Sequence, residues 1–233
     1  SSGFTGDQLE LSMSELDFMT NLAGNGGGLV IGQTGAGGGD VIFKGAVGPT
    51  TSFLNEFGTN ITQAVGADIT TGLNAGASGN IILANAGNNL GSFSTGTQVG
   101  GNIDIVTSGD LELSTVDALG TVSLRSSSGA LSQSDGFISG SAITLQAVTG
   151  IGTPGNSIFV NSPGAGLSAT NTGSGDIAVT SSSAPTFTVG GGGATFSNGG
   201  GGYYISALNN MQLNGGTAND NYAQFAAGDT LTV

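Results

Sequence analysis

The sequence predicts an all-β chain, a β-solenoid of parallel strands coiled at about 20 residues per turn. Three observations carry that prediction. Apolar residues alternate with polar ones over many short runs. The runs recur at a near-constant spacing. The turns between them share one chemistry, Gly followed by Asp or Asn at the mouth of a strand.

The alternation is clearest in "NIDIV" at 102–106. Ile103 and Ile105 point one way and Asp104 the other, as in a half-buried strand. "DLELS" places Leu111 and Leu113 inside and Glu112 outside. "TVSLRS" places Val122 and Leu124 inside, with Ser123 and Arg125 outside. The same reading holds for "NIILAN" (80–85), "AITLQA" (142–147), "SIFVNS" (157–162), "DIAVTS" (176–181) and "TFTVG" (186–190). The leading apolar residues Ile81, Ile103, Val122, Ile143, Ile158 and Ile177 step by about 20 residues, with one shorter step. A second register runs through Leu111, Leu131, Leu167 and Phe187. A single coil cannot bury its apolar side, but stacked coils enclose a narrow core. At about 4.8 Å between strands, the rod is expected to be on the order of 50 Å long. A β-sandwich is the rival architecture. Against it stand the scarcity of Asn-Gly and Asp-Gly hairpin dipeptides, the uniform turns, and an aromatic content of only 6%.

The first segment departs from this grammar. In "SMSELDFMTNLAGNGGGLVIGQ", Leu16, Met19 and Leu22 fall at helical spacing. Ser12 with Glu15 and Ser14 with Asp17 form capping-box pairs, and Gly24 is a stop. One short helix is therefore expected over 14–22, followed by a strand over 28–33. The chain divides into a helical entry (1–25), the solenoid coils (26–189) and Gly-rich terminal coils of the same solenoid (190–233).

Composition narrows the function. Of 233 residues 46 are Gly, and Cys and His are both absent. The only cations are Lys44 and Arg125, against a formal net charge of -13. So few basic residues argue against nucleic acid and against docking on an anionic membrane. No run of 18 apolar residues is present to insert as a helix. Disorder does not fit, because the 37% of hydrophobic residues sit in regular alternation. The opening "SSGFTGDQLEL" and the closing "AAGDTLTV" both break off in mid-pattern, which reads as a piece of a longer polypeptide. A solenoid stopped there would leave Leu231 and Val233 on an open edge. Continuation of the chain, or end-to-end stacking on an identical or neighbouring solenoid segment, is the expectation.

"SELDFMTNLAGNGGGLVIGQTGAGGGDVIFKGAV", together with the cassettes from Gly101 to Ala147 and "GSGDIAVTSS", resembles the repeats of large bacterial exoproteins of the filamentous haemagglutinin type. In that family a short S-x-E-L turn precedes G-x-L-x-I-G. The resemblance covers most of residues 10–181 and lies in strand grammar, with no catalytic signature. It implies a right-handed parallel β-helix, secreted to the extracellular space or cell surface. It also implies work as an adhesin, stalk or fibre subunit, touching a host or polysaccharide surface.

Reactive groups are few. A carbohydrate-active β-helix enzyme needs a carboxylate pair, and Asp104, Asp110, Glu112 and Asp117 lie close enough in sequence to be weighed as one. The plainer reading makes Asp104 and Glu112 solvent-side strand residues and Asp110 and Asp117 turn residues, with Arg125 a surface counter-ion. No catalytic residue and no cofactor is expected. A calcium β-roll uses G-G-x-G-x-D-x-U-x. "GAGGGDVIF" (35–43) and "GGTANDNYA" (215–223) each miss it by one residue, leaving Asp40 and Asp220 as calcium candidates. Tyr203 and Tyr204 are adjacent in a strand, so one of them is expected to face solvent, where it can stack on a sugar or a partner.

Overall fold

The computed structural model describes residues 29–32, 39–48, 54–161, 166–182, 186–190, 193–214, 223–227 and 231–232. They form a β-solenoid of about seven turns, roughly 21 residues apart. The expected helix at 14–22 lies outside the described residues, as does Asp220 with the stretch 215–222.

Three faces wind around one core. The longest is an eight-stranded sheet of β2 (Val41–Phe43), β4 (Ile61–Gln63), β6 (Ile81–Leu83), β8 (Ile103–Thr107), β11 (Thr121–Ser126), β14 (Ala142–Ala147), β16 (Leu167–Asn171) and β19 (Thr195–Asn198). A second face joins β1 (Leu29–Gly32), β3 (Leu54–Gly58), β5 (Leu73–Ala77), β7 (Gly91–Thr95), β9 (Leu111–Leu113) and β12 (Leu131–Gln133). The third joins β10 (Val116–Asp117), β13 (Ile138–Ser139), β15 (Ile158–Asn161), β17 (Ile177–Ser181), β20 (Tyr203–Ala207) and β22 (Ala223–Ala227). A short sheet of β18 (Thr186–Gly190), β21 (Asn210–Asn214) and β23 (Leu231–Thr232) follows. Every pairing between these strands is parallel, so each strand pairs with its counterpart one coil away and not with its sequence neighbour.

The register aligns like with like. Ile61, Ile81, Ile103, Val122 and Ile143 stand in one row, and Leu73, Phe93 and Leu113 in another. All of these are buried, at no more than 1% exposed. Because strand side chains alternate with period two, a slip of one residue would turn each row out to solvent. The apolar rows therefore fix the register.

Two sequence expectations about register are corrected. Leu167 belongs with Ile143 in the eight-stranded sheet and Phe187 with Met211 in the short three-stranded sheet, so neither stacks with Leu111 and Leu131. Ile158 and Ile177 lie on the third face, where they pair with Val179 and Tyr203. The apparent short step from Ile143 to Ile158 was thus a move around the coil, not along the stack. Alternation looks the same on every face, so spacing alone could not separate the faces once the coils lengthened. Asp117, expected in a turn, is in the two-residue strand β10.

The recurring Gly-Asn phrase has a physical explanation at one corner. Asn60 donates from its backbone N and its Nδ2 to Asp40 Oδ1, at 3.1 and 2.9 Å. Asn80 N donates to Asn60 Oδ1 at 2.9 Å, Asn102 N to Asn80 Oδ1 at 2.8 Å, and Thr121 N to Asn102 Oδ1 at 2.9 Å. Each side chain thus accepts from the backbone of the next coil, forming a ladder along the axis. The glycines before Asn80 and Asn102 let that ladder pass. A Cβ on Gly101 would collide with Asn80 Oδ1 and sit 2.8 Å from the Gly79 carbonyl oxygen.

Among the described residues, each buried polar side chain is hydrogen-bonded through at least one of its atoms, with one exception. Asn88 is fully buried and exchanges two amide hydrogen bonds with Gln63, at 2.8 and 3.0 Å. Its Oδ1 also accepts from Ile69 N at 2.8 Å. The exception is Glu56 on β3, which is 0% exposed with neither carboxyl oxygen hydrogen-bonded. Its register partner toward the middle of the stack is the buried Ala75. Burial away from water pushes its carboxyl up to about 9.

Candidate functional site

The sequence candidates do not converge. Asp40 sits at the start of the amide ladder, where its Oδ1 takes both donors of Asn60. Asp104 is on β8, Glu112 on β9 and Asp117 on β10, which belong to three different sheets. Asp110 accepts from Ala130 N at 2.8 Å and so ties two coils together at a corner. Gln98 Nε2 donates to both Asp117 oxygens at 3.2 Å. A glycosidase pair needs two carboxyl groups facing one bond, and Asp104, Glu112 and Asp117 stand on three different sheets, while the Asp110 carboxylate is engaged by Ala130 N. Among the described residues, no three His, Cys, Asp or Glu side chains gather as a metal site.

The tyrosines divide as strand alternation requires. Tyr203 is 8% exposed and belongs to the core, and its hydroxyl accepts from Asn198 N at 2.7 Å. Tyr204 is half-buried on the outer side of β20.

The feature that breaks the regular stack lies at the corner between the second and third faces. There the chain runs Ile151-Gly-Thr-Pro-Gly-Asn156. Thr153 and Asn156 bond each other's backbone, N to O at 3.0 and 2.9 Å, so the Pro154-Gly155 turn stands out as an exposed bulge. Pro154 fixes φ at the first turn position, which favours this local turn. Gly136, Gly150 and Gly152, in the same two coils, all have positive φ (74°, 138° and 64°). At Gly136 a side chain would also strike Thr115.

Between the bulge and the preceding coil lies a cleft of about 370 Å³, lined by Gln133, Ser134, Asp135, Asn156, Ser157 and Phe159, with Gly136 at its edge. Asn156 Nδ2 donates to the Gln133 carbonyl at 2.7 Å and holds the bulge against that coil. Gln133 is only 4% exposed. Its Oε1 accepts from Phe159 N at 2.6 Å, while its Nε2 has no hydrogen-bond partner. The orientation of this amide is fixed by chemistry: the Phe159 N–H requires an acceptor, so the oxygen must face it and the NH2 group must face elsewhere. Asp135 is exposed and accepts from the Ser114 hydroxyl. Ser157 shares a hydroxyl ladder with Thr180 and Ser206, at 2.6 and 2.7 Å. Phe159 is half-buried.

Sequence reasoning missed this cleft because Gln133 and Phe159 are 26 residues apart and meet only through stacking. A signal was present, since T-P-G-N is a turn inserted where neighbouring coils pass straight on. Comparison of the chain with protein-family models, curated proteins and solved structures returns no match in any of the three.

Proposed function

We propose that this chain is a segment of an extracellular structural and adhesive β-solenoid, serving as a surface stalk or fibre subunit. The observation that carries the reading is the continuity of the eight-stranded parallel sheet. Apolar rows and amide ladders run in register along its axis, while the reactive side chains are scattered over separate faces. A rod needs stacking bonds in series and an outer surface free for contact, and this arrangement supplies both. The strand grammar shared with filamentous-haemagglutinin-type exoproteins supports the same reading. The high acidic excess would keep such a rod soluble and limit non-specific adhesion to anionic surfaces.

Localisation tests it directly. Antibodies raised against the folded chain, applied to intact cells that make the protein, are expected to label surface fibres or stalks by immunogold microscopy. Label that appears only after the cells are permeabilised would overturn the reading.

A further inference from the structure

We propose that the link between Asp135 and Gly136 is a site of spontaneous covalent modification, at which the folded chain converts aspartate to isoaspartate with water as the only co-reactant. The step needs a carboxyl group, a following backbone nitrogen free to attack it, and room to close a five-membered ring. Gly136 N adds to Asp135 Cγ. One carboxyl oxygen leaves as water, carrying the amide proton and one proton taken from solvent. Water then opens the cyclic imide at either carbonyl and returns the solvent proton. Opening at Cγ restores aspartate. Opening at the main-chain carbonyl leaves the chain running through Cβ and Cγ, with the old main-chain carbonyl carbon as the free carboxylate.

Exposure and bonding single out this link. Asp135 and Gly136 are both exposed in the bend between β12 and β13. Only one Asp135 oxygen is held, by the Ser114 hydroxyl. Among the described residues, Gly136 N donates no hydrogen bond, and glycine puts no side chain beside the attacking nitrogen. The other described aspartates fail at that nitrogen, because a hydrogen-bonded amide must first open before it can attack. After Asp40, Asp110, Asp117 and Asp176, the nitrogens of Val41, Leu111, Ala118 and Ile177 donate to carbonyls one coil on, at 2.8, 2.9, 3.0 and 3.0 Å. After Asp68, Ile69 N is held by Asn88 Oδ1. Asp104 and Ile105 lie inside β8, which is paired on both sides.

Asn198-Gly199 is the sharpest control. In an unstructured peptide, asparagine before glycine closes this ring faster than aspartate does, since its neutral amide needs no prior protonation. Here Gly199 N donates to Asn171 O at 2.8 Å, and the Asn198 side chain is tied to Asn171 and to Gly202 O at 2.9 and 3.1 Å. The fold therefore reverses the order that the bare sequence sets. Rearrangement at Asp135 adds one methylene to the main chain where Gly136 packs against Thr115 of the preceding coil. The adjoining stacking bond, Val116 N to Phe137 O at 2.9 Å, and the β10–β13 pairing are the parts it loosens. The inference goes beyond the adhesive reading and does not depend on it.

The test is incubation of the full folded chain for weeks in heavy-oxygen water at physiological temperature, beside a sample unfolded in urea. Each passage through the imide replaces one carboxyl oxygen, so peptide mapping by mass spectrometry reads the rate at each site, and backbone fragmentation separates isoaspartate from aspartate. In the folded chain, label and isoaspartate are expected at Asp135, with Asn198 slower by about tenfold or more because Gly199 N must first open. In urea the order is expected to reverse. Asp135→Glu is expected to lose the label at that position, since a six-membered ring closes far more slowly, and to keep the melting curve of an exposed substitution. No label at Asp135 in the folded chain overturns the proposal, as does label at Asn198 that appears as fast. The same order in urea would show that the fold makes no selection, and label that persists in Asp135→Glu would place the chemistry elsewhere; each overturns it too. Whether the protein is found on the cell surface or inside leaves these readouts unchanged.

Discussion

The coils between Asn80 and Leu145 and the coil that enters at β3 follow the same alternation, yet their interiors differ. In the middle coils the first two inward positions of each strand of the eight-stranded sheet are aliphatic: Ile81, Leu83, Ile103, Ile105, Val122, Leu124, Ile143 and Leu145 are all at most 1% exposed, and the buried hydroxyls of Thr107 and Ser126 that follow are hydrogen-bonded to backbone carbonyls. At the same depth in β3 stands Glu56, with no hydrogen bond to either oxygen. The comparison teaches that the stack decides what is buried by parity along the strand, and a residue of the wrong chemistry is carried inward with the rest. The middle coils are where the fold is stabilised; the β3 coil is where it is held at a cost.

The largest expected effect lies at Glu56. The unfolded chain loses this proton near 4.5, whereas the folded chain keeps it up to about 9. Stability from this group is therefore fully present below pH 4.5 and declines as pH rises toward 9, at about 1.4 kcal/mol per pH unit. At pH 7 the accumulated loss is on the order of 3 kcal/mol. Glu56→Leu is expected to recover that amount and to flatten the dependence of denaturation midpoint on pH between 5 and 9. A wild-type midpoint that rises across that range would remove the distinction between the two regions.

A second effect breaks the middle coils from the corner. Gly101→Ala places a methyl against Asn80 Oδ1 and the Gly79 carbonyl, and the expected loss is about 2–3 kcal/mol in urea denaturation. An unchanged midpoint would show that the ladder gives way freely. Asn80→Ala keeps the space and removes only the acceptor for Asn102 N, for which a loss of about 1 kcal/mol is expected. The smallest effect is at Glu112, exposed on the outer side of β9. Glu112→Ala is expected to stay within about 0.5 kcal/mol of wild type, and a larger loss would mean that the outer face carries stability as well.

The same contrast explains what was legible in the sequence. The runs at 102–106, 110–114, 121–126 and 142–147 read correctly because their apolar parity is unbroken, and those at 102–106 and 121–126 also open with Asn102 and Thr121 of the corner ladder. The strand at Leu54–Gly58 was not read, since a Glu in "LNEFG" signals the outer face, and only the register with Ala75 and Ala77 shows that it points in. The corner ladder was visible as a phrase, but its cause, a side-chain acceptor for the next coil, needed the stacking. Asp40, the acidic position of the near-match to the calcium nonapeptide, is the first member of that ladder. The cleft at Gln133 was hidden for a related reason: its groups come from two coils, and Gln133 reads in isolation as a polar strand end. Tyr203 and Tyr204 divided between core and outer side as parity demanded.

Strand register between neighbouring coils tests the central claim most directly. The chain contains no Cys, so spin labels can be placed at will. Glu112 and Ser132 are register partners on β9 and β12 and both are exposed. Labels at Glu112→Cys and Ser132→Cys are expected to show strong dipolar broadening, as backbones about 4.8 Å apart in a parallel pair require. Labels at Glu112→Cys and Ser123→Cys, closer in sequence but on different sheets, are expected to show much weaker broadening. The reverse order, with the nearer pair in sequence coupled and the pair twenty residues apart uncoupled, would contradict the solenoid and the rod built on it.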